Sequence, residues 1–433
     1  MSDAARAADA APRPVTGPRI ARLARQLEAA RDADARDALT EAFWDGATRT
    51  GTPLVEALDD APGHRAVTFL WRGHRATRQV LLMATGIGDR DRPAETLLHH
   101  LPGTDVWYLG YRLRADHRGS YRLVADISPG PAPADPVLLQ RRLAALMAHG
   151  AADPLNPRRL PVRRRAVESS VFALPQAPPQ PWAGRRADVR RGTVERHTVE
   201  RRTGTGHAPG EERAVWTYLP PERAARPEGG SPGPGPGPAP GPLPVLVLCD
   251  GDMWFGRLGF QDTLDALIAD GVLPPLVVLS PDAGDAATRR RDLGGREAYA
   301  AFLADDLLPW ARARWPLTAD ADRTAVSGQG LGGTAALYAG LTRPERFGRV
   351  LVQSPSPGPT PGGGDRASLP VVHLALGLHD GAARAEHGET LVPALRARGH
   401  RVVRTVYNGG RDHACWQGLL ADALVETFQQ EDG

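Results

Sequence analysis

The chain has 433 residues, and its 53 Lys+Arg are all arginine against 50 Asp+Glu, a formal net charge of only +3. The longest cationic runs are Arg163-Arg164-Arg165 and Arg289-Arg290-Arg291, too short for the basic stripe of a nucleic-acid binder. Lacking lysine, a pattern expected from the codon bias of a GC-rich genome, the chain cannot use a Schiff-base or general-base lysine, and every Arg/Lys-type cation is a planar, permanent guanidinium.

With 41% hydrophobic residues the chain has enough apolar mass for two or three domains. Its 48 Gly and 41 Pro are concentrated in a few stretches, so they do not mark the whole chain as disordered. Cys249 and Cys415 are too few for a disulfide framework. No apolar h-region or membrane-length apolar run is visible, and a soluble cytoplasmic protein without membrane or nucleic-acid partners is expected.

In chain order, residues 1–17 are Ala, Asp and Pro rich and are expected to be disordered. Residues 19–44 carry helical spacing, with Ile20, Leu23, Leu27, Leu39 and Phe43 as an intermittent stripe. The period then changes to that of strands at 66–71, 80–83, 106–113 and 119–123, separated by turn residues, which suggests a β-sandwich. A short helix is predicted over 136–149, and the Pro-rich stretch from Phe172 to Trp182 reads as a linker. The predicted domains are 18–182 and 183–433. Beyond the linker, strands at 214–218, 244–248, 276–279, 324–326, 350–353, 371–376 and 402–407 alternate with helices at 260–270, 297–314, 333–342 and 388–398. A final helix is predicted over 416–430. This grammar predicts a mostly parallel sheet covered on both faces. The spacer-like Pro227–Pro244 reads as a long surface loop between two strands of that sheet, tolerable because closure entropy grows slowly with length.

The informative segment is Ala325-Val326-Ser327-Gly328-Gln329-Gly330-Leu331-Gly332-Gly333. An apolar strand enters a Gly-rich turn and then an Ala-rich helix, the context of the G-x-S-x-G nucleophile elbow, but with Gly330 in the middle position. The same residues superficially match a G-x-G-x-x-G dinucleotide fingerprint, a weak signal without a preceding βαβ half-domain.

These residues, together with Leu248-Cys249-Asp250-Gly251-Asp252-Met253-Trp254, Pro344-Glu345-Arg346-Phe347-Gly348 and Gln353-Ser354-Pro355-Ser356, resemble the enterochelin esterases. Upstream, Thr68–Arg72, Asp105–Tyr108, Asp153–Arg158 and Gln180-Pro181-Trp182 resemble the N-terminal domain of the same family. The resemblance spans roughly residues 40–430. It implies an α/β fold in which a smaller β-sandwich-like N-terminal domain precedes an α/β-hydrolase domain, and cytoplasmic hydrolysis of a ferric catecholate trilactone, a siderophore of iron acquisition.

The resemblance also exposes departures. Gly330 stands where the family pattern has the nucleophilic Ser. Arg411, in Gly409-Gly410-Arg411-Asp412-His413-Ala414-Cys415-Trp416, stands where it has the catalytic His, and Arg296 replaces an expected Asn. Asp380 is the candidate acid, and His413 the one imaginable replacement imidazole. Asp252, Trp254 and Leu331, with Arg289 and Arg296, are candidate oxyanion or substrate contacts, as is Arg257; Trp254, Arg257, Arg289 and Arg296 lie on loops expected at the C-terminal sheet edge. Arg planes and Trp faces suit an anionic, aromatic ligand, although ordinary solvated arginines and a core or rim Trp would look the same. Ser327 reads as packed or locally bonded, Ser354 and Ser356 as pocket-lining or turn-capping, and Cys249 and Cys415 as buried small hydrophobes. No metal-ligand spacing is present, and no cofactor is expected. Three readings follow: a degenerate esterase that binds a siderophore or related ester with little or no hydrolysis; an active enzyme of a specialised biosynthetic pathway using His413 and Asp380 on another ester or amide; and a non-catalytic binding or assembly partner.

Overall fold

The computed structural model describes residues 3–88, 93–130, 133–163, 166–202, 211–221, 241–358 and 369–429. The chain divides into two compact units: Met1–Pro178 with Leu378–Gly381 and Asn408–Cys415, and Pro179–Gly377 with Ala382–Tyr407 and Trp416–Gly433.

Among its described residues the first unit contains nine strands: β1 (Arg13–Pro14), β2 (Leu54–Ala57), β3 (His64–Arg72), β4 (Gln79–Ala84), β5 (His99–His100), β6 (Val106–Arg114), β7 (Arg118–Asp126), β8 (Arg159–Pro161) and β9 (Glu168–Ala173). One sheet runs β1-β6-β3-β2 with β5 also on β6, and a second runs β4-β7-β9-β8. Period-2 alternation decides their packing. Val67, Phe69, Leu109 and Tyr111 of the first sheet share a core with Val80, Leu82, Tyr121, Leu123 and Phe172 of the second. The opposite face of the first sheet, through Leu70 and Val106, packs on Ile20, Leu23, Leu27 and Trp44 of helices Pro18–Ala29 and Ala33–Thr50.

Three sequence expectations change here. Residues 3–10 form a helix, and Arg13 and Pro14 pair with Arg112 and Tyr111 of β6, so the N-terminal segment is not simply disordered. The single helix expected over 19–44 is two helices, because Asp32 turns extended and caps the second by accepting from the Ala35 amide. Phe172 and Ala173 end strand β9 and do not begin a linker.

The second unit is built on β10 (Thr193–Glu200), β11 (Glu212–Leu219), β12 (Val245–Leu248), β13 (Val277–Pro281), β14 (Thr324–Gln329), β15 (Arg349–Gln353), β16 (Val371–Gly377) and β17 (Val402–Tyr407), in the order β10-β11-β13-β12-β14-β15-β16-β17. β10, β11 and β13 pair antiparallel, and the pairings from β13 to β17 are parallel. Continuous apolar strands are what a sheet covered on both faces requires. Val245, Val247, Val277, Leu279 and Val326 join Phe302, Leu303, Leu307 and Ala336 in one core, while Leu246, Leu248, Val278 and Ala325 are buried on the other face. β10 (TVERHTVE) is an edge strand whose polar alternation hides it from a hydrophobic-periodicity reading. The run 296–312 contains a π-helical stretch, Phe302–Leu307. The spacer-like segment flanked by β11 and β12 lies, up to residue 240, outside the described residues, but those two strands do belong to one sheet. Among the described residues, no helix is long and apolar enough to cross a membrane.

Candidate active site: a glycine at the elbow

In the second unit, β14 ends at Gln329, Gly330 turns, and the helix Leu331–Thr342 begins at once. Gly330 has φ 57° and ψ −117°, a backbone region that side chains with a Cβ rarely adopt. Gly328 is required for a different reason: a Cβ there would overlap the backbone carbonyl group of Gly332 and lie 2.9 Å from the Gly333 nitrogen. The turn is held from both sides. The Gly330 amide donates to the Gln353 carbonyl at 3.0 Å, and the Gly330 carbonyl accepts from the amides of Thr334 and Ser356, each at 3.1 Å. Thr334 Oγ1 donates to the Ser356 carbonyl at 2.8 Å. The strand–turn–helix geometry is therefore that of a nucleophile elbow, with a hydrogen atom where a nucleophilic side chain would stand.

Leu331 is the first residue of the helix, so its amide has no acceptor within that helix and is placed as an oxyanion donor would be. The loop after β12 supplies the neighbouring wall. Asp250 is buried in the left-handed region at φ 72°, and Arg289 donates to it twice, Nε to Oδ1 at 2.8 Å and Nη2 to Oδ2 at 2.7 Å. This pair lies beside the elbow helix: a Cβ built on Gly332 would be 3.4 Å from Asp250 Oδ2 and 3.9 Å from Arg289 Nη2. Asp252 Oδ1 accepts from the Ala283 amide at 3.0 Å, tying the loop after β12 to that after β13. Trp254 is fully buried against Phe260 and donates from Nε1 to Gln329 Oε1 at 3.0 Å, bracing the residue before the elbow. Trp254 and Arg289 lie on short helices, Gly251–Trp254 and Ala286–Gly294, and Arg296 opens the next; these positions were expected on loops. Arg257 is exposed.

The segments carrying the other predicted residues belong to the first unit. Asp380 is buried in Leu378–Gly381, and Arg411 is exposed in Asn408–Cys415. The two segments are joined by the His379 amide donating to the Gly409 carbonyl at 3.0 Å and by His379 Nε2 to Asn408 Oδ1 at 2.8 Å. Asn408 Oδ1 also meets His117 Nδ1 at 3.1 Å, and Asn408 Nδ2 donates to Asp116 Oδ1. Burial, reinforced by the neighbouring His379, pulls the His117 imidazole down to about 3. Burial likewise lowers His379. His413 is half-buried at the first position of the helix His413–Phe428. Asp412 before it is buried and accepts from the Ser120 and Ala414 amides at 2.7 and 2.9 Å. Burial raises its carboxyl above the usual range, a shift those amide bonds oppose.

The remaining serines and cysteines have structural surroundings. Ser327 is fully buried in β14. Ser354, at φ 46°, exchanges a 2.8 Å hydrogen bond with Tyr407 and accepts from Trp416 Nε1 at 3.2 Å. Both thiols are buried, and burial pushes Cys249 up to about 12. Among the described residues, no cluster of three His, Cys, Asp or Glu could hold a metal ion. Asp250, His379 and Asn408 escaped the sequence reading; only Asp250, in an Asp-Gly after an apolar strand, carried a local signal.

A strand-to-helix elbow on a mostly parallel sheet, following a two-sheet sandwich unit, defines an esterase-type α/β-hydrolase with an accessory N-terminal domain. Residues 66–183 match the family model for the N-terminal domain of enterochelin esterase, and residues 207–368 match that for putative esterases. The chain is 34% identical to the iron(III) enterobactin esterase of Dickeya dadantii, with 90% of this chain and 94% of that protein covered. It is 32% identical to an iron(III) salmochelin esterase of Escherichia coli, with 94% and 96% covered. The enterobactin esterase of Shigella flexneri, solved in the presence of enterobactin, superposes with a TM-score of 0.71 at 27% identity, covering 90% of this chain and 98% of that one. The chain belongs to the enterochelin esterase family.

Proposed function

We propose that this chain is a cytoplasmic, ligand-binding member of that family which takes a ferric catecholate siderophore or a related ester and does not hydrolyse it at an appreciable rate. The observation that carries this reading is Gly330, at φ 57° and ψ −117°, in an elbow otherwise complete. Acyl transfer needs a nucleophile to form the covalent intermediate and a base to activate it. Gly330 offers no nucleophilic atom, and the permanently charged Arg411, at the family's His position, accepts no proton. Loss of the nucleophile alone costs on the order of 10⁶ in kcat in the best-studied case, and loss of the base adds little. Oxyanion donors and binding account for about 10³–10⁴ over water.

The test is direct. Purified protein incubated with iron-free and ferric enterobactin should leave the trilactone intact by chromatography, while tryptophan fluorescence should report saturable binding. Gly330→Ser combined with Arg411→His should begin to restore opening of the lactone. Efficient hydrolysis by the unaltered chain would overturn the proposal, and the absence of saturable binding would favour a scaffold role.

A further inference from the structure

The hydrogen bonds that reach Gly330 from the end of β15 both come from the segment Gln353–Ser356. The Gln353 carbonyl accepts from the Gly330 amide, and the Ser356 amide donates to the Gly330 carbonyl. Between those contacts the chain bends at Ser354, whose φ of 46° lies in the left-handed region that residues with a Cβ seldom occupy. Its amide is tied to the Ala375 carbonyl of β16 at 2.8 Å. Its side chain enters a buried polar triangle. The Ser354 and Tyr407 hydroxyls are 2.8 Å apart, and Trp416 Nε1 lies 3.2 Å from the first and 3.1 Å from the second. An indole nitrogen can only donate, so one hydroxyl donates to the other to close the triangle. Either hydroxyl, if removed, leaves a buried donor or acceptor short of a partner. Trp416 also accepts, through its backbone carbonyl, from Gln353 Nε2 at 3.2 Å. Tyr407 ends β17 and Trp416 stands near the start of the final helix, where the chain leaves this unit and re-enters it.

We propose that Ser354, Tyr407 and Trp416 are positioning residues of the candidate site: their shared hydrogen bonds hold the bend after β15, and the bend sets the peptide planes on either side of Gly330. This rests on the reading that the ligand lies at the elbow. Gln353 and Ser356 flank the bend and grip Gly330 by its amide and its carbonyl, so a bend released at Ser354 loosens both grips together. Gly330 has no side chain to fix its own orientation, which leaves that task to these contacts. The Leu331 amide shares a peptide plane with the Gly330 carbonyl, so wherever that carbonyl is held the oxyanion-type donor is aimed the opposite way. A strained residue such as Ser354 persists where its surroundings over-determine it, as this triangle does. One neutral hydrogen bond of this kind corresponds to about two- to tenfold in an equilibrium constant.

The experiment compares the full-length protein with Tyr407→Phe and Ser354→Ala, each with circular dichroism like that of the unaltered chain. Two readouts are taken, amide hydrogen exchange and calorimetric titration with enterobactin. Exchange at Gly330, Thr334 and Ser356 should be about two- to tenfold faster in each variant, while the amides of β12 keep their rates. Enterobactin should bind each variant about two- to tenfold more weakly. The double variant should be no worse than the more affected single one, because both substitutions break one shared bond. Unchanged exchange at the elbow, or a rise spread evenly over the sheet, would overturn the positioning role. So would faster exchange at the elbow with enterobactin affinity unchanged, or losses that multiply in the double variant. Failure of the unaltered chain to bind enterobactin would overturn the siderophore reading, and the exchange rates would still decide the role of the triangle.

Discussion

Substituting Gly330 by alanine probes how firmly the elbow holds its turn around a glycine. At φ 57° and ψ −117° the residue sits where a Cβ is strained, and holding a non-glycine there costs about 1–3 kcal/mol. The surroundings fix that conformation: the amide is bound to Gln353 and the carbonyl to Thr334 and Ser356, so the strain is not relieved by rotating the peptide. For a domain of this size about 1 kcal/mol corresponds to about 2–4 °C, which places the expected fall in Tm at about 2–12 °C. Gly328→Ala should be worse, because its Cβ would strike backbone of Gly332 and Gly333 and not a movable side chain. Thermal unfolding followed by circular dichroism, with the three proteins side by side, decides the matter. An unchanged or raised Tm for Gly330→Ala would refute the retained elbow geometry. The same arithmetic applies to Gly330→Ser, so a serine at this position should also cost stability.

Three further predictions concern buried groups of the two units. Arg289→Met leaves the buried Asp250 carboxylate without its guanidinium, and urea denaturation should show a loss of about 2–3 kcal/mol, below the ~3–5 of a fully buried pair because Arg289 is partly exposed. Adding Asp250→Asn should recover part of that loss, and strictly additive losses would contradict the pairing. His117, folded at about 3 and near 6.5 when unfolded, makes the unfolded chain the better proton binder between those values. Its contribution is therefore complete above pH 6.5 and declines as pH falls toward 3, by about 1.4 kcal/mol per unit. Replacing it with glutamine should flatten the decline measured between pH 6.5 and 5; an identical slope would contradict this. Cys249 and Cys415, both buried with raised thiols, should resist a thiol reagent until the protein unfolds, and labelling of the native chain would contradict that burial.

What could be read from the residues was local. Gly328, Gly330 and Gly332 announce an elbow because tight backbone passage excludes Cβ atoms, and the apolar runs at β12 to β15 announce a sheet covered on both faces. Strand β10 stayed hidden because this edge strand carries exposed Glu195, Arg196 and Glu200 among its valines. The N-terminal pairing of Arg13 with Arg112 was hidden because a two-residue strand has no periodicity to detect. Asp250 signalled itself weakly, since a left-handed Asp before Gly also suits any turn. Arg384 meets Ser356 only by the return of the chain through β16 and its helix, a contact that nothing in the local spacing announces. Composition said little about partners, yet one of the 53 arginines, Arg411, stands at a position on which the proposed absence of hydrolysis turns.

The central claim is that the elbow binds and does not cut, and the most direct measurement is single-turnover chromatography of enterobactin with excess unaltered protein over several hours. The account predicts that the intact trilactone is recovered, while Gly330→Ser with Arg411→His yields linear product; rapid, stoichiometric opening by the unaltered chain would contradict it.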